Sequence, residues 1–180
     1  MVLSAADSML LVVDVQARLA PAIDDGEACI RRCKLLIEAA RRLAVPILVT
    51  EQYPAGLGPT VPELAELLHS NEIHPKVHFA ATAEPGLGRL LGASERRTIV
   101  TCGMEAHVCV LQTVLGLQGG GASPVVVADA VGSRNPADRS LALERMRAAG
   151  IEIVTSEMVV FEWLGRAGTP AFKALAPLIR

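Results

Sequence analysis

Aromatic residues are scarce in this chain: one Trp, one Tyr and three Phe stand among 180 residues, although 51% of all residues are hydrophobic. So aliphatic a composition leaves little polar side chain to cover the surface, and monomers rarely expose apolar patches beyond roughly a few hundred Å². A homo-oligomer, dimer or higher, is therefore the expected state. Long hydrophobic runs are missing too. The longest span residues 9–13 and 43–49, the second interrupted by Pro46, and both fall far short of the roughly 18 residues that cross a bilayer. No membrane partner is expected. Neither sign of charge dominates, since 17 Lys and Arg are scattered against 19 Asp and Glu; a nucleic-acid partner, which needs a basic face, is not expected either. The four cysteines form no C-x-x-C pair, and the opening MVLSAADSMLLVVD holds no basic leader. Free thiols and a cytoplasmic setting follow as expectations.

What is present is an alternation of short apolar runs with amphipathic stretches. Residues 9–13 form a continuous Leu- and Val-rich run, the pattern of a strand buried on both faces. From about residue 27 to 44, Ile30, Cys33, Ile37, Ala40 and Ala44 recur at helical spacing, with Arg31, Lys34, Glu38, Arg41 and Arg42 opposite; this predicts an amphipathic helix that Pro46 ends. Further strands are predicted over 47–50, 98–102, 124–128 and 151–154, with a short extended piece over 76–79. Further helices are predicted over 61–69, 85–91, 106–117 and 138–149. Parallel strands need crossover connections. The order therefore predicts one three-layer α/β/α domain over residues 1–180, built on a central, mainly parallel sheet of Rossmann-like topology. Ligands of such sheets sit beyond the carboxyl ends of the strands, which directs attention to Asp14 and Gln16, Glu51 and Tyr53, the 103–109 segment, and Asp129.

Two of these neighbourhoods hold reactive chemistry, and Lys76 adds a third candidate from outside them. Cys109, six residues past Gly103, is predicted in the first turn or so of a helix, where unbonded amides and the helix dipole favour a thiolate. Asp14 closes a wholly apolar strand at the same sheet edge, and a carboxylate there can take and return a proton. Lys76 follows Pro75 and offers an ammonium that would hold a nearby thiol ionised. Each also has a plainer reading. Cysteines are commonly small buried hydrophobes, strand-end carboxylates satisfy nearby helix amides, and lysines are mostly solvated. Cys102 in its apolar strand, and Cys29 with Cys33 on the helix stripe, read as core. His69, His74, His78 and His107 make no tetrahedral ligand set with a carboxylate, so no metal is expected. The 119–121 glycines lack the Lys and Ser or Thr of a phosphate loop and read as a helix stop. Asp129 reads as a turn former before Gly132, and Tyr53, Phe79 and Trp163 as pocket, core or subunit contacts.

The segments MLLVVDVQ, TEQYPAGLGPTVPEL, HPKVHF and CGMEAHVCV, in this order, resemble the isochorismatase-like cysteine hydrolase superfamily, and most closely its small isochorismatase-domain hydrolases. The likeness runs from about residue 9 to 162. It implies a Cys-Lys-Asp catalytic set at Cys109, Lys76 and Asp14, and a cis peptide between Met104 and Glu105 that aims the amides of Glu105 and Cys109 at a developing oxyanion. Apart from the resemblance, Gln16 reads as a residue that orients Asp14 or touches substrate, and Met104, Tyr53 and Phe79 are counted with Glu105 among the candidate substrate-binding residues. The implied reaction is hydrolysis of a C–N bond in a small amide- or carbamoyl-type substrate through a thioester, with no cofactor. Isochorismatases proper cleave a vinyl ether and typically lack the cysteine. Nicotinamidases of the superfamily bind a metal through Asp-x-His and a further His after the second strand, where this chain reads Glu51-Gln52-Tyr53-Pro54. The competing expectation is a catalytically quiet or redox-responsive oligomeric binding protein on the same fold.

Overall fold

A computed structural model describes residues 2–92 and 95–179. Six strands, β1 (Ser8–Val13), β2 (Ile47–Gln52), β3 (Ile73–Lys76), β4 (Thr98–Met104), β5 (Ser123–Gly132) and β6 (Glu152–Val154), form one sheet in the order β3-β2-β1-β4-β5-β6. Every neighbouring pair is parallel. The helices are α1 (Gly26–Arg42), α2 (Pro54–Leu57), α3 (Pro62–Ala65), α4 (Pro85–Gly92), α5 (Leu111–Gly119), α6 (Pro136–Ala148), α7 (Ser156–Leu164) and α8 (Pro170–Leu175). They cover both faces of the sheet. Leu10 and Val12 of β1 pack with Cys33 and Leu36 of α1 and Val159 and Trp163 of α7. Leu11 and Val13 turn the other way, onto Leu87 of α4, Val114 of α5 and Met146 of α6. Side chains alternate across a strand, so a strand covered on both faces must be apolar throughout, which is why 9–13 shows no polar alternation.

The structure moves several boundaries. The extended piece expected at 76–79 is the strand 73–76, which Lys76 ends instead of starting; its Pro75 is tolerated because β3 is the sheet edge. The helix expected over 61–69 closes after one turn at Ala65. The helix expected over 106–117 opens as a π-helical turn, Ala106–Val110, before α5. Asp129 is no turn former: β5 continues through it to Gly132 across a register shift opposite β4. Its carboxylate accepts from the backbone N and Oγ of Ser156 at 2.7 and 2.6 Å, which starts α7, and lies 3.4 Å from Arg32 Nε. Among the described residues, no helix is long and apolar enough to cross a membrane.

At the carboxyl edge β1 and β4 approach closely at Gly103. Gly103 has φ of 116°, and a Cβ built there would lie 2.0 Å from the Val13 carbonyl oxygen; only glycine permits that approach. The chain then passes through a cis peptide between Met104 and Glu105 into the turn that carries Cys109. Asp14, the residue after β1, takes a left-handed conformation with φ of 52°.

Candidate active site

Asp14 and Lys76 form an ion pair with no exposed side-chain surface, Nζ to Oδ2 at 2.8 Å. Burying two charges is tolerable only when their remaining hydrogen-bonding capacity is filled, and here it is. Asp14 Oδ1 accepts from Thr50 Oγ1 at 2.6 Å. Lys76 Nζ also donates to Gln52 Oε1 at 2.6 Å and to the carbonyls of His78 and Phe79, each at 3.2 Å. Gln52 is anchored in turn: its Nε2 donates to the Val77 carbonyl at 2.8 Å and its backbone N to Gln16 Oε1 at 2.8 Å. Glu84 reaches back from outside to the backbone N of Val77 and of His78 and to the His78 ring.

Cys109 is buried, with 6% of its surface exposed, and Asp14 and Lys76 are near enough to act on its thiol in opposite directions. Together Asp14 and Cys109 wall a recess of about 340 Å³, lined further by Arg18, Leu19, Ala22, Gln52, Leu57, Phe79, Glu105, Val108 and Arg134. Its thiol is pushed up to about 12, chiefly by burial and next by the neighbouring carboxylate of Asp14; Lys76 pulls the other way but does not prevail. This corrects the expectation of a resting thiolate. The lysine is already committed to Asp14, and Cys109 sits in a buried π-turn rather than at an open helix N-terminus.

The other sequence-based assignments divide. Phe79 and Glu105 line the recess. Glu105 is 8% exposed, and its Oε1 accepts from the backbone N and the Nε of Arg134 at 3.1 and 2.9 Å. Met104 does not line it: its side chain is fully buried in the core beside α1. Gln16 neither lines the recess nor bonds Asp14, because its Nε2 donates to the carbonyls of Gln52 and Gly58 at 3.0 and 2.6 Å. Tyr53 is 59% exposed and lies outside the lining. Trp163 belongs to the core, its Nε1 donating to Ser8 Oγ at 3.0 Å. Glu51, pointed to by the strand-end rule, accepts from Thr60 N and Oγ1 and pins a loop. Its neighbours Thr50 and Gln52 reach the site in its place, because alternate strand residues share a face; strand parity was the signal that could have found them. Cys29 and Cys33 donate to the Ala130 carbonyl, each at 3.4 Å, within the core. His107 joins Ser133 through its Nδ1 at 2.9 Å. Among the described residues, no group of three His, Cys, Asp or Glu is placed to hold a metal ion.

A six-stranded parallel sheet with a recess at the strand ends, lined by Asp14, Gln52, Glu105 and Cys109, defines an α/β protein of the class whose ligands bind at the carboxyl edge. A model of the isochorismatase domain matches residues 8–158, and the chain belongs to the isochorismatase-like hydrolase family. It is 37% identical to isochorismatase domain-containing protein 2A of Mus musculus over 96% of this chain and 82% of that protein. Among solved structures it is similar to the MAR1 ribonuclease of Caenorhabditis elegans, at 39% identity and TM-score 0.92 over 99% of this chain and 92% of that one. It is also similar to YcaC of Pseudomonas aeruginosa, solved with hexane-2,5-diol and covalent acrylamide, at 27% identity and TM-score 0.89 over 98% and 95% of the two chains.

Proposed function

We propose that this protein is a metal-independent cysteine hydrolase that cleaves the C–N bond of a small amide- or carbamoyl-type substrate through a thioester. The observation that carries this reading is the buried Asp14–Lys76 pair, at 2.8 Å, whose Asp14 lines the same recess as Cys109. A thiol held near 12 needs a base at the moment of attack, and Asp14 is the carboxylate within reach. Asp14 takes the Sγ proton as the sulfur attacks the carbonyl carbon; the negative charge passes from the carboxylate to the carbonyl oxygen, and Lys76 holds the now neutral Asp14 in place. The amides of Glu105 and Cys109 receive the developing oxyanion; donors of that kind are worth roughly 3 to 4 kcal/mol of barrier. The tetrahedral adduct collapses, the C–N bond breaks, and Asp14 gives its proton to the departing amine. Water, deprotonated by Asp14, then attacks the thioester; the acid leaves and the sulfur recovers a proton.

The name borne by the worm relative offers a second reading, phosphodiester cleavage in RNA. A net charge of −2 and a recess of about 340 Å³ favour a small molecule instead. We also propose that the protein works as a homo-oligomer in the cytoplasm. Tyr53, Val77 and Phe79, 59%, 65% and 54% exposed, crowd the end of β3 beside the recess and would be covered by a second copy. Light scattering on the purified protein tests the oligomer.

The deciding experiment is a panel of small amides and carbamoyl compounds, with an RNA oligonucleotide beside them, run on wild type and Cys109→Ala in parallel. Release of amine or ammonia by the wild type that falls by about a thousandfold or more in the variant supports the mechanism. Activity that survives the substitution refutes it. A wild type that turns over nothing, yet binds panel members, supports the competing binding-protein reading.

A further inference from the structure

Glu105 is the one carboxylate besides Asp14 on the recess wall. Its side chain is 10% exposed, so nine-tenths of it is out of solvent. Both hydrogen bonds that hold it fall on one oxygen: Oε1 accepts the backbone N and the Nε of Arg134 at 3.1 and 2.9 Å. No donor among the described residues reaches Oε2, yet no buried side-chain oxygen there lacks a partner. Oε2 is therefore reached by solvent, on a side chain that lines the recess. A carboxylate held at one oxygen, with the other left for whatever enters, is an acceptor aimed at a ligand.

From this we infer that Glu105 Oε2 is a specificity-determining acceptor for an N–H group on the acyl part of the substrate. This deepens the proposed function and rests on it. The preferred compounds carry an amide, ureido or amine N–H that stays with the acyl group when the C–N bond breaks, and isosteres with a methyl or methylene at that position are discriminated against. Arg134 is the positioning residue. By occupying Oε1 from two directions it prevents the carboxylate from rotating away and offsets its charge, so a neutral N–H suffices.

The same geometry makes the isosteric change at Glu105 informative. In Glu105→Gln the two Arg134 donors still demand an oxygen at the Oε1 position, which turns the new amide NH₂ toward the recess and converts an acceptor into a donor. Glu105→Ala removes the group altogether.

The test uses a pair of thiol-reactive probes of nearly equal shape, acrylamide and methyl vinyl ketone, which differ by NH₂ against CH₃. Rates of adduct formation at Cys109, mapped by peptide mass, are each divided by the rate of the same probe with free cysteine. Wild type should favour acrylamide by about tenfold, the worth of one hydrogen bond to a charged acceptor. Glu105→Ala should bring the ratio close to one, and Glu105→Gln should take it below the alanine value. A purely structural role for Glu105 would slow both probes together and leave the ratio where it was, and that result overturns the inference. Wild-type adducts that form at Cys109 without preference for acrylamide overturn it as well, and leave the hydrolase reading standing. If neither probe modifies Cys109, the proposed function fails and the inference falls with it.

Discussion

Lys76 Nζ lies 2.8 Å from Asp14 Oδ2 with no surface of either side chain exposed, although 62 residues separate them in the chain. The pair is a stability element as well as a chemical one. Asp14→Leu or Lys76→Met strands a charge in the interior, and each should cost about 3 to 5 kcal/mol in denaturant unfolding. Asp14→Leu combined with Lys76→Met removes both charges and should cost clearly less than the sum of the single changes. Strictly additive losses would contradict the pairing.

The thiol of Cys109 has its own pH signature. Held near 12 by burial and by Asp14, it should react with iodoacetamide at pH 7 more slowly than free cysteine, with a rate that climbs about tenfold per pH unit up to about pH 11. The folded protein keeps a proton that the unfolded chain releases near 9.0. Its contribution to stability is therefore complete below about pH 9 and is lost as pH rises toward 12. Thermal melts of Cys109→Ala should decline less steeply across this window than those of the wild type. Parallel declines would count against the thiol.

Gly103→Ala should destabilise by more than about 2 kcal/mol, because it combines a left-handed φ with an overlap onto the β1 backbone. The overlap falls between β1 and β4, the two strands that carry Asp14 and lead to Cys109. The loss of hydrolysis should therefore exceed the loss of folded protein, measured by circular dichroism on the same samples.

Glu84 tests the outer support of Lys76. Its carboxyl is held down to about 2, first by its hydrogen bond with His78 and then by the backbone N of Val77 and of His78. The support it gives is present above about pH 4.5 and is lost as pH falls toward 2. The segment it ties down supplies the His78 and Phe79 carbonyls that hold Lys76 Nζ. Glu84→Ala should speed hydrogen exchange at Val77 and His78 by about tenfold and lower the turnover of any substrate found. Unchanged exchange would mean that the ties seen here contribute nothing.

Much of this arrangement was legible in the chain. Residues 9–13 and 98–102 announce strands buried on both faces because an interior strand has no polar side to show, and Asp14 stands out as the charge that ends the first. Cys109 draws attention by its place after the strand ending in Gly103. Lys76 was less legible, since an edge strand of four residues broken by Pro75 carries little periodicity, and its place rested on resemblance alone. Thr50, Gln52 and Arg134 were not picked out. Their partners, Asp14, Lys76 and Glu105, lie 24 to 36 residues away, beyond the reach of any local pattern.

The amino-acid order by itself determined where the interior strands and the long α1 and α6 helices lie, and that a thiol and a carboxylate stand after the ends of buried strands, because burial on two faces writes itself into neighbouring residues. Only the folded chain decided the protonation of Cys109 and the aim of Glu105. Both depend on sums over groups distant in sequence: the dielectric around a sulfur, the prior claim of Asp14 on Lys76, and the grip of Arg134 on one oxygen of two.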